Sequence, residues 1–387
     1  MSPEGDSALK PPSPPAQGTA DAVNLRQTQQ LAESFRTQPR PSPSPCIIPE
    51  LESARVRAVE LLDEGRYGKA MECLNSVLLG LGEETPVPSS FTPLQDWSNP
   101  DLAADTIGNM GLVCSEEGQY AQALEFTERS LSHFENNGYH RHTAGALGNL
   151  GVIYDRQGDY TKAMEFHQRA LAGFRGTPPT TTASNGNKNA ADLDMINTLN
   201  NMGIVFRKQG NHIKALEHHA QALSGSKQTG DRRGCATSLN NIGVVFFAQK
   251  NYNAAWEVYN RSLACHESTT LFGNVDPDML ATLHNIGLLF ESLRLHRKAI
   301  EYYERALQGY DKLYGDNSHV TLGTLRCFGT VLFNLGEYEK AAEIVQRELA
   351  GRKKVLGRNH CETIKTQHRL AEVKAKVKAT TEPVCWG

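Results

Sequence analysis

Five asparagines form a series through the middle of this chain: Asn109, Asn149, Asn201, Asn241 and Asn285, at intervals of 40, 52, 40 and 44 residues. Each lies two residues before a glycine, namely Gly111, Gly151, Gly203, Gly243 and Gly287. Asn is a mediocre helix former because its amide competes for backbone hydrogen bonds, so helix stability does not explain such a series. The amide does offer a donor and an acceptor together, which matches the alternating groups of a polypeptide backbone. The chemistry suggested is peptide recognition. Two other accounts stay open: copied repeats share residues whether or not each is used, and an Asn can bond a neighbouring helix. Beside the series lie Asp105, Glu116 and Asp155, then the basic pair Arg207 and Lys208, then Phe247 and Leu288. The basic pair suits an acidic segment of a partner, and Phe247 an apolar anchor.

Residue patterns for other chemistry are lacking. The sequence contains no P-loop, metal-ligand spacing, nucleophile elbow or dinucleotide fingerprint, so it reads as non-enzymatic, with no cofactor, no metal and no catalytic residue expected. Eight Cys are scattered without a C-x-x-C pair, and Cys114, Cys265 and Cys327 fall at helix packing positions. Of the 13 His, the pair His218-His219 is expected on a solvated face. Between Arg347 and Lys378 ten basic residues face three acidic ones, within a chain of net charge -3. That basic end suggests an alternative role in binding RNA or an anionic surface. No aromatic residues interleave with the charges to stack on bases, so a solvated helix end is the simpler account, and no DNA partner is expected.

The asparagines are positioned by a larger pattern. A Gly is followed 7 residues on by Gly, 12 on by Ala, and 19 and 20 on by Ala or Ser and by Leu, as in Gly151, Gly158, Ala163, Ala170 and Leu171. Six copies run from about residue 104 to 350, with departures at Lys250 and Arg294 (each for the second Gly), at Glu348 (for the second Ala) and at Cys327 (where the Asn series ends). Such a period means one helical hairpin per copy, stacked into a solenoid, with Gly and Ala where helices approach closely. On one face of each first helix stand Ile107, Leu147, Leu199, Leu239, Leu283 and Leu325, and after each turn comes an aromatic or His. An apolar run such as 244–248 is too short to span a membrane, and the first 17 residues have no signal-peptide core, so the cytosol is the expected compartment.

With Leu147, Leu150-Gly151, Tyr154, Ala163, His167 and Ala170, the pattern resembles the tetratricopeptide repeat (TPR) over roughly residues 51–378. The resemblance implies an all-α fold, a right-handed superhelix whose concave face holds a peptide or helical segment of a partner protein on the Asn ladder. Copies with Gly230-Asp231 resemble the LGN class of polarity adaptors, whereas 314–321 and 356–363 are similar to the kinesin light chain and nephrocystin group. Those subtypes imply a cargo or polarity adaptor. A chaperone-type carboxylate clamp is not implied, since the residues one turn before each Asn are Asp105, Gly145, Asn197, Thr237 and Ala281. Lys365 and Arg369 have the clamp's spacing, but Cys327 precedes them where Asn is wanted.

The expected organisation is a disordered Pro- and Ser-rich leader over 1–50, an atypical first hairpin over 51–83 and a linker over 84–103 carrying Trp97. Six hairpins follow at 104–137, 144–177, 196–229, 236–269, 280–313 and 322–355, with a mobile insertion near 177–190. A capping helix over 364–378, with Leu370 and Ala371 inward, and a tail over 379–387 complete the chain. The leader's Pro-rich runs suggest an SH3-type partner, its Ser42-Pro and Ser44-Pro pairs suggest phosphorylation, and a short helix is expected around Leu25, Leu31 and Phe35.

Overall fold

A computed structural model describes residues 48–63, 66–81, 94, 97–176, 189–267, 276–315 and 317–381. Most of the leader, its short helix, its Pro-rich and Ser-Pro sites, residues 177–188 of the insertion and the last six residues lie outside that set.

Among the described residues there are seven helical hairpins and a last single helix. They are α1 (Ile48–Asp63) with α2 (Tyr67–Gly80), α3 (Pro100–Glu116) with α4 (Tyr120–Asn136), α5 (His140–Gln157) with α6 (Tyr160–Gly176), and α7 (Asn189–Lys208) with α8 (His212–Thr229). Next come α9 (Arg232–Ala248) with α10 (Tyr252–Glu267), α11 (Pro277–Ser292) with α12 (His296–Leu313), α13 (His319–Leu335) with α14 (Tyr338–Val355), and α15 (Cys361–Thr381). Helix starts follow from capping chemistry: Asn99 and Ser318 accept from Leu102 N and Thr321 N, while Pro100 and Pro277 occupy first turns where a missing N–H costs nothing. The linker is therefore shorter than its sequence suggests, because α3 already begins at Pro100. Likewise α1 begins at Ile48 and α7 at Asn189.

The turn between the helices of a hairpin needs a left-handed residue. Gly158 supplies it at φ 88°, whereas at the same place Arg294 is held at φ 58° and Lys250 at φ 60°. In all six repeats the aromatic or His two residues after this position opens the second helix and is half-buried. The first Gly of the pattern lies under a side chain 16 residues on. A Cβ on Gly151, Gly203, Gly243 or Gly287 would sit 2.4–2.5 Å from the rings of His167, His219, Tyr259 or Tyr303. Ala123, Ala163, Ala215, Ala255, Ala299 and Ala341 are fully buried on the facing helices.

Two sequence expectations fail here. His219 is fully buried, because its imidazole fills the space that the absent Cβ of Gly203 leaves open. On α15 the inward stripe is Thr363, Thr366, Leu370 and Val373, whereas Ala371 is exposed, one helical step of about 100° past Leu370.

First helices of successive hairpins pack on one another along the row α1, α3, α5, α7, α9, α11, α13; among the described residues no second helix meets another second helix to a comparable extent. The row of first helices is thus the inner, concave side of the stack.

Candidate binding surface

The five Asn all sit half-buried on first helices. Among the described residues, the side chains of Asn149, Asn201 and Asn241 make no hydrogen bond, and the Nδ2 of Asn109 is buried without a partner. Asn285 differs: its Nδ2 donates to the Oδ1 of Asn240 at 2.9 Å, so its amide is engaged inside the stack. Asn109 and Asn149 line one recess of about 330 Å³ with Asp105, whose carboxyl is pushed above the usual range by burial, against the opposing pull of Arg55 and His142. Gly145 leaves that recess open, since a Cβ there would meet nothing within 4 Å.

The basic pair is divided. Lys208 reaches back one hairpin and donates to Asp155 Oδ2 at 2.7 Å, while Arg207 is half-buried with no ion pair among the described residues. One hairpin earlier, Arg156 pairs in the same way with Glu116, which also accepts from the Tyr67 hydroxyl at 3.3 Å. The charges expected to greet a partner, Glu116, Asp155 and Lys208, instead tie adjacent first helices together. Phe247 packs its ring 5.9 Å from that of Tyr252 and belongs to the edge of the second hydrophobic core, so only part of it faces outward.

A row that the sequence reading passed over, Leu288 apart, lies one residue after each packing Gly. Leu112, Val152, Ile204, Val244 and Leu288 are all half-buried, three residues from the Asn on the same helical face. The signal was present in the constant apolar character of that position. Amides and apolar side chains thus run side by side along the inner row.

The basic C-terminal end is not a simple solvated face. Arg352 is buried between Glu348 Oε1 at 3.0 Å and Glu362 Oε2 at 2.7 Å; Arg369 pairs with the fully buried Glu348, Arg347 with Asp311, and Lys365 with Glu362. The pairing with Lys365 and Arg352 holds the Glu362 carboxyl down at about 2. Thr366 also donates to Glu348 at 3.3 Å. Glu348, the repeat's one departure from the second small residue, is therefore the buried anchor that fixes α15.

Stacked hairpins with a continuous inner row of first helices define an α-solenoid of helical repeats. The chain belongs to the tetratricopeptide repeat family: one tetratricopeptide repeat model matches residues 102–176 and 194–268, and a second matches 279–319 and 321–360. A comparison with curated proteins finds no matching relative. Among solved structures, NprR in complex with its cognate peptide NprX is 15% identical, with 92% of this chain and 95% of that chain covered at a TM-score of 0.51. A Rap protein complexed with competence and sporulation factor is also 15% identical, over 93% of this chain and 98% of that one, at 0.46. BtubC from P. vanneervenii is 16% identical over 77% and 93%, at 0.43. At these identities the likeness concerns the fold alone. Among the described residues no helix is long and apolar enough to cross a membrane.

Proposed function

We propose that this chain is a non-enzymatic interaction scaffold that seats an extended or helical segment of a partner protein along its row of first helices. One observation carries the reading: amides at Asn149, Asn201 and Asn241 lie half-buried on the inner face with no hydrogen bond among the described residues. Half-buried amides without partners are costly unless a ligand or water satisfies them, and a polypeptide backbone offers both complements. The flanking apolar row supplies area for side chains, in the manner of groove recognition of a peptide. NprR, which shares the fold, is in complex with a peptide. Kinesin-light-chain-like or LGN-like adaptor roles are the finer forms of this reading.

The test is selection of displayed peptides on the full chain, followed by affinity measurement against the Asn201→Ala, Asn241→Ala double variant. Each lost direct hydrogen bond is worth roughly 0.5–1.5 kcal/mol, so a loss on the order of five- to hundredfold is expected with folding intact. Selected peptides that bind the double variant as well as the parent defeat the ladder assignment.

A further inference from the structure

The repeat departs from its own pattern at few places, and three of these departures meet at one recess. Arg294 replaces the turn Gly, Cys327 ends the Asn series, and Glu348 replaces a small residue; the fourth, Lys250, lies at the turn one hairpin earlier. Arg294 and Cys327 line a concave recess of about 770 Å³ between α11, α13 and α15, and Glu348 holds Arg369 at its wall. That volume admits several side chains of a ligand.

The lining is strongly basic. Arg294, Arg326, Arg369 and His296 line it with one carboxylate, Glu291, which already accepts from the Tyr303 hydroxyl at 2.8 Å, and Arg369 is also paired with Glu348 behind the wall. Arg326 is exposed and, among the described residues, makes no ion pair. Arg369 Nε and His296 Nδ1 are buried there without a hydrogen-bond partner. Arg294 is kept in the left-handed region at φ 58°, a conformation that a glycine adopts without steric cost. Buried polar atoms without partners beside the unpaired Arg326 guanidinium give the recess groups that an anion would satisfy.

We propose that this recess seats an acidic stretch of the partner polypeptide, with Asp or Glu side chains entering between Arg326 and Arg369. The proposal rests on the concave-groove reading above and adds the charge and position of the bound segment. Charge complementarity selects that occupant over the chain's own leader: residues 1–47 carry Lys10, Arg26, Arg36 and Arg40 against Glu4, Asp6, Asp21 and Glu33, a neutral balance. Leu288, which lines the recess, continues the apolar row that a polypeptide would follow.

The experiment exposes the full chain to two displayed libraries of short peptides, one rich in Asp and Glu, the other with Lys and Arg at the same positions and identical apolar residues. Enrichment from the acidic library alone is expected. The selected peptides should bind roughly tenfold or more weakly to Arg326→Glu, recover on Arg326→Lys, and lose affinity as salt is raised. Arg326→Glu should keep the parent's helical circular dichroism, because the side chain is exposed and makes no ion pair among the described residues. No enrichment from the acidic library, or binding indifferent to Arg326→Glu, overturns the proposal, as does equal displacement of the acidic peptides by oligouridine. Peptides that depend on Asn201 and Asn241 but not on Arg326 would sink this inference and leave the groove reading standing; dependence on Arg326 alone would do the reverse.

Discussion

The imidazole of His219 packs against Gly203, so close that a Cβ at 203 would sit 2.5 Å from Cε1. Gly203→Ala must move a fully buried ring, and Gly203→Leu must part α7 from α8. We expect a loss of roughly 1–3 kcal/mol or more, read by chemical denaturation. Gly145→Ala is the control: open space surrounds that position in mid-helix, and a gain of about 0.5–1 kcal/mol is expected from helix propensity. Equal stability of Gly203→Ala and the parent would mean that the two helices do not meet there.

His167 and His219 are held down at about 4 by burial, and His284 likewise, with Arg326 adding to its shift. A histidine depressed in the folded state takes up its proton more readily when unfolded. The stability it contributes is therefore present above about 6.5 and is lost as pH falls from 6.5 toward 4, by up to about 3 kcal/mol per residue. The melting temperature should drop steeply across that window. Tyr259 occupies the corresponding place over Gly243, so His219→Tyr should fit and flatten part of the drop. An undiminished slope in that variant would remove His219 from the account.

Glu348→Ala restores the residue type the repeat prefers and should nonetheless destabilise. It strips the buried counter-charge from Arg352 and Arg369, and breaking a buried pair at one partner costs about 3–5 kcal/mol. Hydrogen exchange should show α15 opening ahead of the rest. Adding Arg369→Leu should recover part of the loss, and failure to recover any of it would place the defect elsewhere.

Asp155 and Lys208 join α5 to α7 with both side chains partly exposed. A double-mutant cycle of Asp155→Ala and Lys208→Ala should give a coupling of only about 0.2–1 kcal/mol in stability, weakened by salt. A coupling well above that range would make the pair a principal tie of the stack.

The sequence by itself determined the architecture. Gly and Ala at fixed offsets admit only close helix contacts, and the residues from Tyr120 to Tyr338 that follow each turn mark where every second helix starts. It also placed the ladder on first helices, because Asn201 and its counterparts share one offset from the packing Gly. A further row of glycines went unread although its spacing is as regular: Gly80, Gly173, Gly225 and Gly309 each lie against the residue 29 positions earlier, Leu51, Ala144, Ile196 and Leu280. Which charges are engaged was settled only by tertiary structure. Lys208 and Asp155 are 53 residues apart and Glu348 and Arg369 are 21 apart, and only the stacking of helices brings such pairs within reach. The fate of His219 was decided in the same way, since burial depends on what lies across the contact and not on the residue's own polarity. A periodic sequence encodes what is repeated, whereas the recess around Arg326 is built from departures whose convergence exists only in three dimensions.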